Sequence, residues 1–328
     1  MPETLLERAI EARAALFDVQ HEAALRLFNG FTEGCPQLVV DLYAATAVIH
    51  NYAALPAEGE PAAQAAVEVL RRRLPWVKAV VLKIRNGVDA AAKRGRLVFG
   101  TEPDRRVREH GVWYAVDLLM NRDASLYLDT RNLRRWALEH LAGKRVLNTF
   151  AYTGSLGVAA RAAGARRVVQ LDLNRKFLNV AEASYTLNGF AVGRGDFIAG
   201  DFYPVVGRFK RAGERFDCVF LDPPFFSATA KGTVDLASDP ARLINKVRPL
   251  IDDGGWLVAI NNALYLGGRE YLRVLEGLCA DGYLEIETLL PVPEDFCGYA
   301  EHPAGGLPAD PAPFNHPTKI AVLRVKRK

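Results

Sequence analysis

The chain has 328 residues, of which 50% are hydrophobic and 24% charged, enough apolar material for one large core or two and too much for global disorder. Its 42 Lys and Arg exceed its 38 Asp and Glu by only four, so the overall charge selects no partner class. No apolar run is long enough to span a bilayer, no secretory leader pattern opens the chain, and Cys35, Cys218, Cys279 and Cys297 have neither metal-ligand nor redox spacing; these absences lead to the expectation of a cytoplasmic protein with no metal and no membrane partner.

Residues 3–28 carry helical periodicity, with Leu5, Ile10, Leu16, Ala23 and Leu27 available to one face, and Asn29-Gly30 ends the run. "LVVDLYAATAVIHNYAAL" then alternates around a hairpin, residues 61–73 read as helix, and "VKAVVLKI", "RLVFG" and "VWYAVDL" read as strands. This predicts an N-terminal helix over 1–28 and a small α+β domain over 29–118. Between Arg71 and Arg108 stand twelve Lys and Arg against three acids. Such a block is either a solvated face or, folded onto one side, a surface that attracts polyanions such as RNA.

From about residue 130 the rhythm changes, and a catalytic domain is expected over 119–328. Helix "RNLRRWALEHLA" precedes strand "RVLNTF", and strands "RVVQLDL", "RFDCVFLDPP" and "GWLVAINN" alternate with helices of crossover length. That pattern predicts an α/β, Rossmann-like, doubly wound sheet whose ligands lie beyond the carboxyl ends of the strands. Asn148-Thr149-Phe150-Ala151-Tyr152-Thr153-Gly154 follows the first of these strands, and Gly154 lets the chain turn tightly beside a ligand. Neither a Gly-x-Gly-x-x-Gly fingerprint nor a Gly-Lys-Thr phosphate loop is present. Asp172 ends the second strand, where a carboxylate accepts both hydroxyls of a ribose. Asp196 is placed after the third strand to hold an adenine amine, with Phe197 covering the ring. Adenine, ribose and a small charged tail suit S-adenosylmethionine. Each residue also has a plainer reading, Gly154 as a turn glycine and the two acids as helix caps.

"LDPPFFS" closes the fourth strand. Pro223 and Pro224 donate no backbone hydrogen bond, so with Asp222 they form an acceptor-rich turn able to fix a base amine. Phe225 or Phe226 can stack on an extracted base. The plainer alternative is a strand exit with core phenylalanines.

"VLNTFAYTGSLGVAA", "VVQLDLNRKFLNVAEASYTLNG" and "FDCVFLDPPFFS" resemble the class I S-adenosylmethionine-dependent methyltransferases. "YAVDLLMNRDASLYLDTRNLRRW" and "LRLFNGFTEGCPQLVVDLY" resemble the branch that modifies cytosine carbon or guanine nitrogen in bacterial 23S ribosomal RNA. The resemblance implies seven strands with the last antiparallel. It also implies donor contacts at Tyr127, Asp129, Arg131, the 148–154 loop, Asp172 with Leu173, Asp196 and Asp222, with Tyr127 and Arg131 at the methionine end or the RNA entrance. Two departures stand out. Too few residues precede the small domain for a complete domain of the pseudouridine-synthase-archaeosine type. The branch members that methylate cytosine carbon 5 carry a cysteine after strand five, where this chain has Asn261 and Asn262. Cys218 reads as a core residue and Cys297 as a loop residue, while His302 and His316 read as loop-bracing. The expectation is therefore transfer to a guanine nitrogen of 23S ribosomal RNA. Its alternatives are a cytosine-C5 enzyme, a small-molecule or protein methyltransferase, and a non-catalytic ribosome-assembly protein; a homodimer is left open.

Overall fold

The structure, a computed structural model, describes residues 2–229, 231–236, 239–299 and 309–327; His302 lies outside the described residues. It divides into two compact units, Met1–Asp129 with Pro293–Leu307, and Thr130–Val292 with Pro308–Lys328.

Up to Asp129 the elements are α1 (Pro2–Ala12), β1 (Ala24–Asn29), α2 (Gly30–Glu33), β2 (Leu38–Tyr43), β3 (Thr46–Asn51), α3 (Pro56–Arg73), β4 (Ala79–Ile84), α4 (Ala90–Arg94), β5 (Arg96–Phe99), β6 (Arg106–Glu109) and β7 (Val112–Ala115). The rest of the chain follows as α5 (Arg131–His140), β8 (Arg145–Thr149), α6 (Ser155–Ala162), β9 (Arg167–Asp172), α7 (Arg175–Leu187), β10 (Phe197–Ala199), α8 (Phe202–Arg211), β11 (Phe216–Leu221), β12 (Phe226–Thr229), β13 (Gly232–Asp235), α9 (Pro240–Val247), β14 (Ile251–Asn261), α10 (Gly268–Cys279), β15 (Leu284–Leu290), α11 (Glu294–Cys297) and β16 (Lys319–Val325).

The first unit is a five-stranded sheet in the order β1-β2-β3-β4-β5, with β3 and β4 parallel across the α3 crossover. Leu6 and Ile10 of α1 and Ala63, Ala66 and Leu70 of α3 join Leu27, Val40 and Ile49 of the sheet in one core. The helix expected over 3–28 stops at Ala12. Asp18 explains the break: its carboxylate accepts the amides of Glu22 and Ala23 at 2.8–3.1 Å, a side-chain turn that competes with helix. Leu25 and Leu27 then alternate as strand residues rather than continuing a helical stripe.

The second unit is a seven-stranded sheet in the order β10-β9-β8-β11-β14-β16-β15. Only β16 runs against its neighbours, antiparallel to both β14 and β15, so the reversed strand expected from the sequence is present. Strand order switches direction between β8 and β11, which opens a crevice at their carboxyl ends. Val219, Leu221, Leu147 and Val169 stack one face of this sheet against Val205, Phe209, Leu243 and Ile244 from α8 and α9.

Candidate active site

At the switch point the side chain of Thr149 donates to the Phe220 carbonyl at 2.7 Å, clamping the ends of β8 and β11 together. The chain then leaves β8 through an unusual backbone. Phe150 and Tyr152 have φ of +55° and +50°, and Gly154 has +75°. The left-handed region is costly for side-chain-bearing residues, so something must hold them. Phe150 stacks on Phe202 at 4.7 Å between centroids. Tyr152 donates its amide to Asp172 Oδ2 at 2.8 Å and sets its ring against Phe177. Gly154 is required by space as well as by φ: a Cβ there would stand 2.5 Å from Ala181 Cβ and 2.8 Å from the Gln170 amide. Ala151 is buried and donates to the Leu171 carbonyl, and Thr153 is buried too.

Asp172, the last residue of β9, accepts the Tyr152 amide on one oxygen and the Asn174 amide on the other, each at 2.8 Å. An ionised carboxylate has about four acceptor positions, so both oxygens retain the capacity to accept a vicinal diol. Burial raises its pKa, against the lowering effect of those two amides. A carboxylate at a strand end, a left-handed glycine turn beside it and the acceptor-rich Asp222 turn one strand away fit a nucleoside methyl donor. Leu173, next to Asp172, is 64% exposed.

Asp222 leads into Pro223, which is buried, and Pro224, which is exposed. Phe225 and Phe226 are 45% and 59% exposed, which removes the reading of this stretch as a strand exit with core phenylalanines. Phe226 opens the β12–β13 hairpin. Leu236 donates to the Phe225 carbonyl at 3.1 Å and accepts from Asn261 Nδ2 at 3.3 Å, so Asn261 ties the hairpin to the end of β14.

Several expectations are corrected. Asp196 does not follow the third strand but precedes β10, where its carbonyl accepts the Gln170 amide and its carboxylate accepts the Gly193 amide. Ala199, not Asp196, is level with Asp172, so Asp196 stands about 10 Å short of the strand ends at roughly 3.3 Å per residue. Phe197 packs edge-on against Tyr185 at 5.0 Å. The tripeptide Gly-Asp-Phe occurs twice, at 195–197 and 200–202. The second copy follows β10, and its Asp201 caps α8 by accepting the Tyr203 amide at 2.9 Å. The apolar run "FIA", which starts on the last residue of the first copy, is the signal that the strand lies after Asp196. Asn148 is buried, and its amide bonds Gln170 Oε1 at 3.0 Å inside the sheet. Tyr127, whose hydroxyl donates to Asp123, and Asp129 belong to the first unit, while Arg131 opens α5 in the second.

Cys218 is wholly buried in β11 and its thiol is pushed far up by burial, as expected of a core residue. His316 accepts the Thr318 amide in its loop. Among the described residues no group of three or more His, Cys, Asp or Glu side chains is arranged to hold a metal ion, and no helix is long and apolar enough to cross a membrane.

A family model described as S-adenosylmethionine-dependent methyltransferase matches residues 70–308. A Bacillus subtilis protein named "Putative ribosomal RNA large subunit methyltransferase YwbD" is 30% identical over 92% of this chain and 76% of its own length. The Aeromonas salmonicida protein named ribosomal RNA large subunit methyltransferase I is 29% identical over 92% of this chain and 75% of its own. A solved structure described as "SMU.776, a putative methyltransferase complexed with SAH" superposes with a TM-score of 0.85 at 21% identity, covering 99% of this chain and 81% of that one, and so shares its fold. These findings overturn the expectation of a guanine nitrogen in 23S ribosomal RNA. A neighbour whose description specifies a guanine product is a Methanocaldococcus jannaschii tRNA m1G37 methyltransferase, at 12% identity and a TM-score of 0.54, whereas the relatives at 25–30% identity are named for large-subunit ribosomal RNA. The chain belongs to the S-adenosylmethionine-dependent methyltransferase family.

Proposed function

We propose that this enzyme methylates RNA, and that its substrate class is large-subunit ribosomal RNA. The observation that carries the reading is the likeness, over about nine-tenths of the chain, to relatives named for that activity. The site is consistent with it, since the turn after β11 presents two exposed aromatic rings, and base–aromatic stacking contributes about 1–3 kcal/mol per base.

S-adenosylmethionine supplies an already activated methyl group, so the residues chiefly bind and align. Asp172 accepts the ribose hydroxyls, Asp201 takes the adenine side, and the 150–154 turn makes room for the nucleoside. Asp222 and the carbonyls around Pro223 and Pro224 face the target base, and Phe225 stacks on it.

With guanine set aside, cytosine carbon 5 is the target atom. That chemistry needs a thiolate to add to ring carbon 6; carbon 5 then takes the methyl group, loses its proton, and the thiolate departs. Cys35 and Cys218 are buried, and Cys279 ends α10 at the far end from β14. Cys297 lies in α11 of the first unit, where its carbonyl accepts from Asn29 and Thr32 and its thiol is pushed up to about 12, first by burial and then by Asp295. Such a thiol needs a base to ionise it at neutral pH.

Purified protein, labelled S-adenosylmethionine and stripped large-subunit RNA test the whole reading. Label is expected in the RNA, and label found only in protein or in a small metabolite rejects it. RNA carrying 5-fluorocytosine tests the atom. A covalent adduct is expected with wild type, while methylation of the RNA without any adduct removes the thiolate chemistry.

A further inference from the structure

Two helices of the second unit carry cations without acids. Arg208, Lys210 and Arg211 lie on α8, Arg242 and Lys246 on α9, and neither helix contains an Asp or Glu. Lys231 adds an exposed cation between β12 and β13. Among the described residues no carboxylate stands within 4.0 Å of Lys210, Lys231, Arg242 or Lys246.

Tyr203 of α8 gathers these groups into one surface. Arg242 and Lys246 each stand 5.7 Å from the centre of its ring, and its hydroxyl donates to the Thr233 carbonyl of β13. The hairpin rests on the same ring through Gly232, where a Cβ would come within 2.4 Å of it. Lys210 continues the surface. Its pKa is lowered by burial and then by the charge of Lys246. The hairpin begins at Phe226, directly after the Asp222 turn.

Like charges gathered without counter-ions raise the energy of the fold unless a polyanion neutralises them. The exposed phenylalanines at one end supply base-stacking area, and the cations supply phosphate contacts; together these are the two components of a single-stranded nucleic-acid surface. We propose that the strip from the β12–β13 hairpin across Tyr203 to α9 and Lys210 is the RNA-holding surface of the enzyme, gripping the strand that flanks the target nucleotide. This rests on the RNA reading above and assigns the contact to a different place from the basic block at 71–108.

The test pairs Arg242→Glu/Lys246→Glu with Arg72→Glu/Arg73→Glu and measures binding of stripped large-subunit RNA against salt. The first variant is expected to lose affinity by about tenfold or more at 0.1 M salt. Its salt slope should become shallower by about 1.4, at roughly 0.7 per single-strand phosphate contact. S-adenosylmethionine affinity and melting temperature serve as folding controls and should match wild type. Near-wild-type binding by the α9 variant, or an equal loss in the Arg72/Arg73 variant, overturns the assignment, as does an acidic protein bound there in place of RNA. If wild type binds RNA through this strip yet transfers no methyl group to it, the functional reading fails and the surface stands. If wild type binds no RNA at low salt, both fall.

Discussion

Two regions of this molecule are rich in cations, and they use them differently. In the 71–108 block at least half of the twelve cations are paired within the first unit: Arg72 and Arg73 reach Glu7 and Glu11, Lys78 reaches Asp104, Arg85 reaches Asp123, Arg105 reaches Glu102, and Arg108 reaches Glu22. Four of those acids, Glu7, Glu11, Glu22 and Asp123, lie outside the block. On α8 and α9 the cations find no such partners among the described residues. A local excess of charge in sequence is therefore a poor guide to a binding face, because the neutralising acids arrive from elsewhere in the chain. Carboxylates show the same division. Asp41 in the first unit is enclosed by Arg26 at 2.8 Å and His50 at 3.3 Å, whereas Asp172 in the second accepts the backbone amides of Tyr152 and Asn174 and has no cation within 4.0 Å among the described residues.

The largest effect that would break this comparison is at Asp41. Asp41→Asn leaves the buried Arg26 guanidinium without its counter-charge, and removing one partner of a buried pair costs about 3–5 kcal/mol. Denaturant unfolding should show that loss, with S-adenosylmethionine affinity of the folded protein unchanged. Asp172→Asn should show a different balance. An asparagine keeps one acceptor oxygen of the two, so one of the Tyr152 and Asn174 amide bonds is lost at a cost of about 1 kcal/mol, while donor affinity falls by about a hundredfold, the equivalent of two charged hydrogen bonds weakened. A stability loss at Asp172 as large as that at Asp41 would show that the carboxylate is structural.

Acid sharpens the same contrast. Against the penalty of burial, Arg26 and His50 hold Asp41 well below its ordinary value of 3.8. Its contribution to stability is complete above that value and is lost only as pH falls through the depressed folded pKa. Asp172 is shifted upward and protonates first on acidification. Donor affinity should therefore decline at a pH where Asp41 is still ionised and the fold intact, and Asp172→Asn should abolish that dependence. Calorimetric titration at a series of pH values reads it directly.

The architecture of the second unit was legible because its signals are local: apolar strand runs, crossover-length helices, and Gly or Asp at strand ends. The same locality put Asp172 and the Asp222 turn at the ends of β9 and β11 and Gly154 in the turn after β8, where the fold has them. The misplacement of Asp196 came from a three-residue strand, β10, too short to fix its own ends between two copies of Gly-Asp-Phe. Asn148 looked like a pocket residue because it nears a strand end, yet its partner Gln170 is twenty-two positions away and only sheet pairing reveals it. In the first unit the helical stripe over 3–28 was real as a pattern, and the Asp18 side chain overrode it. The cationic strip was invisible for a related reason: Lys210, Lys231, Arg242 and Lys246 are spread over thirty-seven residues, and Tyr203 brings them together only in three dimensions.

The buried lysines give the smallest effect and the one respect in which the units should behave alike. Lys83 in β4 donates to the Arg94 and Asn121 carbonyls, and Lys319 in β16 donates to those of Ala263 and Pro317. Each is lowered to about 8, chiefly by burial. Between that pH and the ordinary lysine value of 10.5 the unfolded chain binds more protons than the folded one, so stability rises with pH, by at most about 1.4 kcal/mol per pH unit for each group. Lys83→Met and Lys319→Met leave carbonyls unpaired and lower stability at every pH, so the readout is the slope, which each variant should flatten relative to wild type. An unchanged slope in one variant would mean that its lysine keeps its ordinary pKa in the fold, and that the two units differ in this respect too.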